Sequence, residues 1–180
     1  MRCTRTLSCV DERMLIDYEQ TLIRFDVVIM ILWFLSLMFA GVLAGLFVMG
    51  TAAVEPAARR LPTGAHLVLR QHLIARLRWL VPPLMTAVLV LAVGCALAAA
   101  TPAGRALMSI SSALIALILV TTFAGNVPIN RVFSAADPTR PPAAWTRMIA
   151  RWGLLDRVRC IATLIAFGLQ ILSLILEKTP

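Results

Sequence analysis

A chain of 180 residues with 60% hydrophobic and 14% charged positions carries too little polar surface for a soluble domain. Its mean hydropathy of +0.87 points the same way. The net charge of +8 calls for no nucleic acid, because arginines flanking apolar runs are matched by anionic membrane lipids, the expected partner.

Uncharged runs occur at Val27–Gly50, Trp79–Gly104, Ala106–Asn130 and Cys160–Leu176, which are 24, 26, 25 and 17 residues long. About 20 residues cross a ~30 Å hydrocarbon layer as a helix, and lipid gives a backbone no other way to satisfy its hydrogen bonds. The expected fold class is therefore all-α, an integral membrane four-helix bundle with a partly helical loop between helices 3 and 4. The helices are placed at about 26–50, 65–100, 105–127 and 153–177. Residues 1–25 form an N-terminal tail of mixed charge, and 26–180 a single membrane domain.

The first run is too long for a signal-peptide core of about 7–15 residues. Within it, Gly41 and Gly45 make a small-xxx-small step flanked by Ala40 and Ala44, which suits close helix packing inside one chain. The first loop opens with Glu55-Pro56, and 62–79 reads as helical. Its charges are scattered around the helix, and a break is expected near Pro82-Pro83. Thr101-Pro102-Ala103-Gly104 is a minimal turn, so the second and third spans are antiparallel neighbours.

After the third span comes a polar connection, Asn126-Val127-Pro128-Ile129-Asn130, a Pro-rich turn, then Trp145, Trp152, Asp156 and Arg159. In the fourth span Asp156, Arg159, Thr163, Ala166, Gln170, Ser173 and Glu177 follow alternating spacings of three and four, which places them on one helical face. A polar seam on a spanning helix faces the bundle interior or a wet cavity. Gln170 needs a buried partner there, and Thr122 and Asn126 are the expected ones.

Counting Arg and Lys outside the spans gives eleven in the first and third loops against six in the tails and the second turn. The positive-inside rule then predicts a multi-pass protein of the cytoplasmic (inner) membrane with both long loops inside and both termini outside. Cys3, Cys9, Cys95 and Cys160 contain no C-x-x-C redox pair, although Cys3 and Cys9 could bridge outside. His66 and His72, six apart, point to different sides of a helix, so no metal site is expected.

The order Asn-x-Pro-Ile-Asn, a Pro-containing loop and Trp-x6-Trp-x3-Asp-x2-Arg resembles the anthrone oxygenase-like family of small membrane proteins. The resemblance covers roughly Ala40 to Leu176 and is most specific in the third loop. It implies oxidation of an anthrone to an anthraquinone by dioxygen, with no metal or organic cofactor. Pro128, Asn130, Trp152, Arg159 and Asn126 carry the match; the position of Asp156 commonly holds His or Asn in relatives.

Oxidising an anthrone begins with loss of an acidic C–H proton. That chemistry needs a base, donors for the enolate oxygen and flat apolar walls. Asp156 would be the base, and Asn130 and Arg159 would hold the oxyanion. Asn126, Trp145, Trp152, Thr163 and Gln170 would bind the hydrophobic small-molecule substrate, the two tryptophans stacking on its rings. The competing account uses the same residues as interface anchors, a local ion pair and helix caps. The chain would then be a non-catalytic membrane module that binds a lipid or partner helix through its seam.

Overall fold

A computed structural model describes residues 4–178, with side chains from 27 to 177. The described residues are helical with no strand, and four helices are long and apolar enough to cross a membrane: Val27–Ala58, Val81–Ala98, Pro102–Ala135 and Trp145–Glu177. In detail they are α1 (Thr4–Met49), a π-helical turn (Gly50–Val54), α2 (Glu55–Ala58), α3 (Thr63–Leu77), α4 (Val81–Ala98), α5 (Pro102–Thr121), a second π-helical turn (Thr122–Asn126), α6 (Val127–Ala135) and α7 (Trp145–Lys178). Cys3 and Cys9, which could bridge, lie outside the side chains described.

The spanning helices form a ring in the order α1, α4, α5, α7, each packed on two neighbours. The tight turn Ala99–Thr101 makes α4 and α5 adjacent, as expected. It is clasped by Glu177 from α7, which accepts from the Ala100 and Thr101 amides and the Thr101 hydroxyl. Mid-bundle, Leu43, Met85, Val88, Ile115, Ile118 and Ala166 interdigitate. Trp33, Ala92, Cys95 and Met108 fill the end near that turn, and Leu67, Ile129, Phe133 and Ile149 the opposite, loop end. Outward positions such as Phe34, Val42, Val90, Val120 and Ile161 stay exposed, as a lipid-facing surface requires.

Several helix boundaries differ from the sequence expectation, the first helix beginning at Thr4 rather than 26. The third helix runs to Ala135 rather than 127, and the first runs through Ala58 rather than 50. Pro56 and Pro128 lie beyond the ends expected for these helices. Each follows a π-helical turn directly. A proline ring collides with the carbonyl four residues back and leaves it without a donor; a widened turn relieves both problems, so the helix continues. The fourth helix begins at Trp145 rather than 153, which shrinks the connection to residues 136–144. The second segment, expected as one helix over 65–100, is divided at 78–80, just before Pro82-Pro83.

The small-residue step also divides. Ala40 and Ala44 point into the bundle, Gly41 lies beside Phe167, and Gly45 has nothing within 4 Å of where a Cβ would be. Helix α3 folds back over the loop end and packs on α6. Gln71 fixes it there by donating to the Phe133 and Ala136 carbonyls at 3.0 and 2.8 Å. Gly64 lets the Pro138 carbonyl approach, since a Cβ would sit 2.8 Å from it.

Candidate functional site

The seam on α7 faces inward throughout. Asp156, Arg159, Thr163, Ala166, Gln170 and Ser173 are all buried. Its members divide into two polar clusters at different depths.

The deeper cluster centres on Gln170, which accepts from Ser36 Oγ on α1 and donates to Ser111 Oγ on α5, both at 3.1 Å. Thr122 and Asn126 are not its partners. Gln170 lies eleven residues beyond Arg159, about 16 Å along the helix at 1.5 Å per residue, and Thr122 and Asn126 sit at the level of Arg159.

The second cluster lies at the loop end. Arg159 Nη2 donates to Asp156 Oδ1 at 2.6 Å, and the two residues are only 6% and 5% exposed. The first π-helical turn brings Thr51, whose hydroxyl donates to Asp156 Oδ2 at 3.0 Å. The second brings Thr122, whose hydroxyl accepts from Arg159 Nη1 at 3.4 Å, and Asn126. With the Asn126 amide turned so that its oxygen faces the surrounding donors, it accepts from Arg159 Nη2 at 3.0 Å and Trp152 Nε1 at 3.2 Å. Trp152 Nε1 also donates to Asn130 Oδ1 at 3.0 Å. Thr163 returns its hydroxyl to the Arg159 carbonyl at 2.7 Å. One donor remains: Arg159 Nε is buried with no acceptor.

The two π-helical turns thus flank one short stretch of α7 and aim a hydroxyl each at its ion pair. The wider turn shifts side-chain register within an otherwise continuous helix, which is why such turns gather at sites. The sequence signal is modest but physical: in both Gly50-Thr51-Ala52-Ala53-Val54-Glu55-Pro56 and Thr122-Phe123-Ala124-Gly125-Asn126-Val127-Pro128, a glycine precedes a helix-internal proline.

A further layer, missed from sequence, roofs this cluster. Arg70 of α3 stacks its guanidinium 3.8 Å from the Trp152 ring centre. It pairs with Glu55, and its Nε donates to His66 Nε2 at 3.2 Å. Glu55 Oε1 also accepts from Arg59 Nε at 2.8 Å. Burial, reinforced by the neighbouring Arg70 charge, holds the His66 imidazole below its ordinary value. Burial likewise lowers Arg70, against the opposing attraction of Glu55. Scattered charges on α3 concealed this role, because Arg70 faces the bundle and Arg76 and Arg78 face out.

Of the residues expected from sequence, Asn126, Asn130, Trp152, Asp156, Arg159 and Thr163 come together. Gln170 does not. Trp145 lies to one side, edge-on to His66 with ring centres 5.1 Å apart and tilted against Phe133 at 5.2 Å. The two tryptophans are therefore not a free stacking pair, since His66, Phe133 and Arg70 already occupy their faces. Among the described residues, no three His, Cys, Asp or Glu side chains are placed to hold a metal ion.

A ring of four spanning helices with a buried ion pair beneath an aromatic and arginine roof defines a small multi-pass membrane protein with a polar interior site. Residues 71–169 match the family model described as anthrone oxygenase. That match spans more than half of the 180 residues, and the chain belongs to the anthrone oxygenase family. No curated protein and no solved structure matches it.

Proposed function

We propose that the chain is a small membrane oxygenase that converts a hydrophobic, anthrone-like aromatic to the corresponding quinone with dioxygen. One observation carries this reading: a buried carboxylate–guanidinium pair, Asp156 and Arg159, falls inside the family match with one Arg159 donor unused.

The Asp156 carboxylate takes a proton from the ring methylene, leaving an enolate whose oxygen is held by Arg159 Nε and by Asn130. Dioxygen accepts electrons from that carbon and bonds to it, and protonation gives a hydroperoxide. Loss of the second C–H proton with cleavage of the O–O bond expels water and leaves the quinone carbonyl. Fixed donors around a developing oxyanion, in a site shut off from water, act where they are strongest. Trp152, held by Asn126 and Asn130, supplies a flat wall once Arg70 moves aside.

The arginine bias proposes that the loop end faces the cytoplasm, with both termini outside an inner membrane. Reporter fusions after Thr139 and after Pro180 should then report inside and outside respectively.

A second reading has its own support. Apart from Arg159 Nε, the polar groups described satisfy one another and the tryptophan faces are covered, as expected of a module that only binds a lipid or a helix. Purified protein incubated with an anthrone and dioxygen, followed by quinone absorbance, separates the two. The oxygenase reading expects turnover above autoxidation and a fall of about 100-fold or more in Asp156→Asn, the usual scale for losing a general base. A rate equal to autoxidation leaves the binding module.

A further inference from the structure

Beside the roof, and sharing Arg59 and His66 with it, a groove of about 250 Å³ opens between the first turn of α3 and the first turns of α7. Its polar lining is Arg59, Thr63, His66 and Thr146, and its apolar walls include Leu61, Trp145 and Ile149.

Three independent features favour an anion there. The first is charge: Arg59 and Arg70 share the single carboxylate of Glu55, which leaves one positive charge in excess. The Arg59 side chain is half exposed and free to turn toward a second acceptor. The second is an uncapped helix end. Thr63 is the first residue of α3, Pro62 at the cap position offers no side-chain oxygen, and the first turn holds no acidic residue. The Thr63, Gly64 and Ala65 amides consequently have no acceptor within their helix, and their dipoles favour negative charge. The third is His66, only 4% exposed and lining the groove. Because its Nε2 accepts from Arg70, the ring proton sits on Nδ1, a donor with no partner among the described residues.

We propose that this groove is a binding site for a phosphate oxyanion, held by Arg59, the α3 amide end and His66 Nδ1–H. Leu61, Trp145 and Ile149 beside it suit an acyl or other apolar group joined to that phosphate, so a lipid headgroup is the expected source and free phosphate the other. The site is independent of catalysis. It touches the buried network through the Arg59–Glu55–Arg70 and His66–Arg70–Trp152 contacts.

The test takes the full chain in detergent and counts bound lipid by native mass spectrometry, using dioleoyl phosphatidic acid against dioleoyl phosphatidylcholine. One phosphatidic acid is expected to bind at least tenfold more strongly. Arg59→Gln should abolish the preference by removing the cation, and Thr146→Trp by filling the groove from an exposed position. Inorganic phosphate at millimolar concentration identifies the source. If it raises the melting temperature of the parent alone, without any lipid preference, the oxyanion site stands and its ligand is soluble. Equal binding of the two lipids with no phosphate effect overturns the proposal, as does a preference that survives in both variants.

Discussion

The ion pair at the loop end makes a quantitative claim that is separate from any activity. Asp156 and Arg159 are bonded at 2.6 Å with side chains only 7% exposed each, so neither can recruit bulk water if its partner is lost. Removing one member of such a pair strands a buried charge and costs about 3–5 kcal/mol. Asp156→Leu leaves Arg159 with neutral contacts only, the Thr122 and Asn126 acceptors and the Phe47 and Trp152 rings; Arg159→Met leaves Asp156 with Thr51 as its hydrogen-bond donor. The double variant strands no charge. Replacement of a whole buried pair by apolar residues is often neutral, so its cost should be limited to the orphaned Thr51 and Asn126 bonds, about 1–2 kcal/mol. The double-mutant cycle should therefore show a favourable coupling of at least about 4 kcal/mol. Reversible unfolding in mixed micelles, followed by loss of helicity, measures all four proteins. A coupling below about 0.5 kcal/mol, or a double variant no more stable than the worse single one, would show that the two charges are solvated and the burial argument wrong.

Gln170→Leu removes two interhelical bonds, each about 0.6 kcal/mol, and should lower stability by about 1 kcal/mol in the same assay. It should leave quinone formation unchanged, because it lies about four turns from Asp156. The depressed His66 pKa makes a signed prediction. Neutral His66 is favoured when folded, so its contribution is complete above the unfolded imidazole value of about 6.5 and is lost as pH falls below it. Melting temperature should drop on acidification through that range, with Arg59, Arg70 and Glu55 as the facing charges, and His66→Gln should flatten the drop.

The inward turn of the final helix was legible because its periodicity is a property of one helix, and lipid forbids the other orientation. The same logic gave four spans. Partner identity was not legible in this way. Ser36 and Ser111 meet Gln170 because of the depth at which α1 and α5 cross α7, which a single helix does not encode. Thr122 and Asn126 were rightly read as interior groups but assigned to the wrong level. Glu55, His66 and Arg70 escaped notice for a different reason. They matter only once α3 folds back over the bundle, and that fold rests on Gln71 gripping the end of α6 and on Leu67 meeting Phe133. The helix ends were misjudged because they were placed from apolar runs, whereas two helices continue through Pro56 and Pro128 behind widened turns.

The lid made by α3 has a kinetic consequence. With Arg70 laid on Trp152 and Gln71 pinning the helix beneath it, the carboxylate of Asp156 has no standing doorway to either bilayer or water. Any molecule that meets it must wait for that lid to lift or for neighbouring helices to part. For the proposed oxidation, the frequency of such breathing would set a ceiling on throughput, lower in a stiff lipid phase and higher in a fluid one.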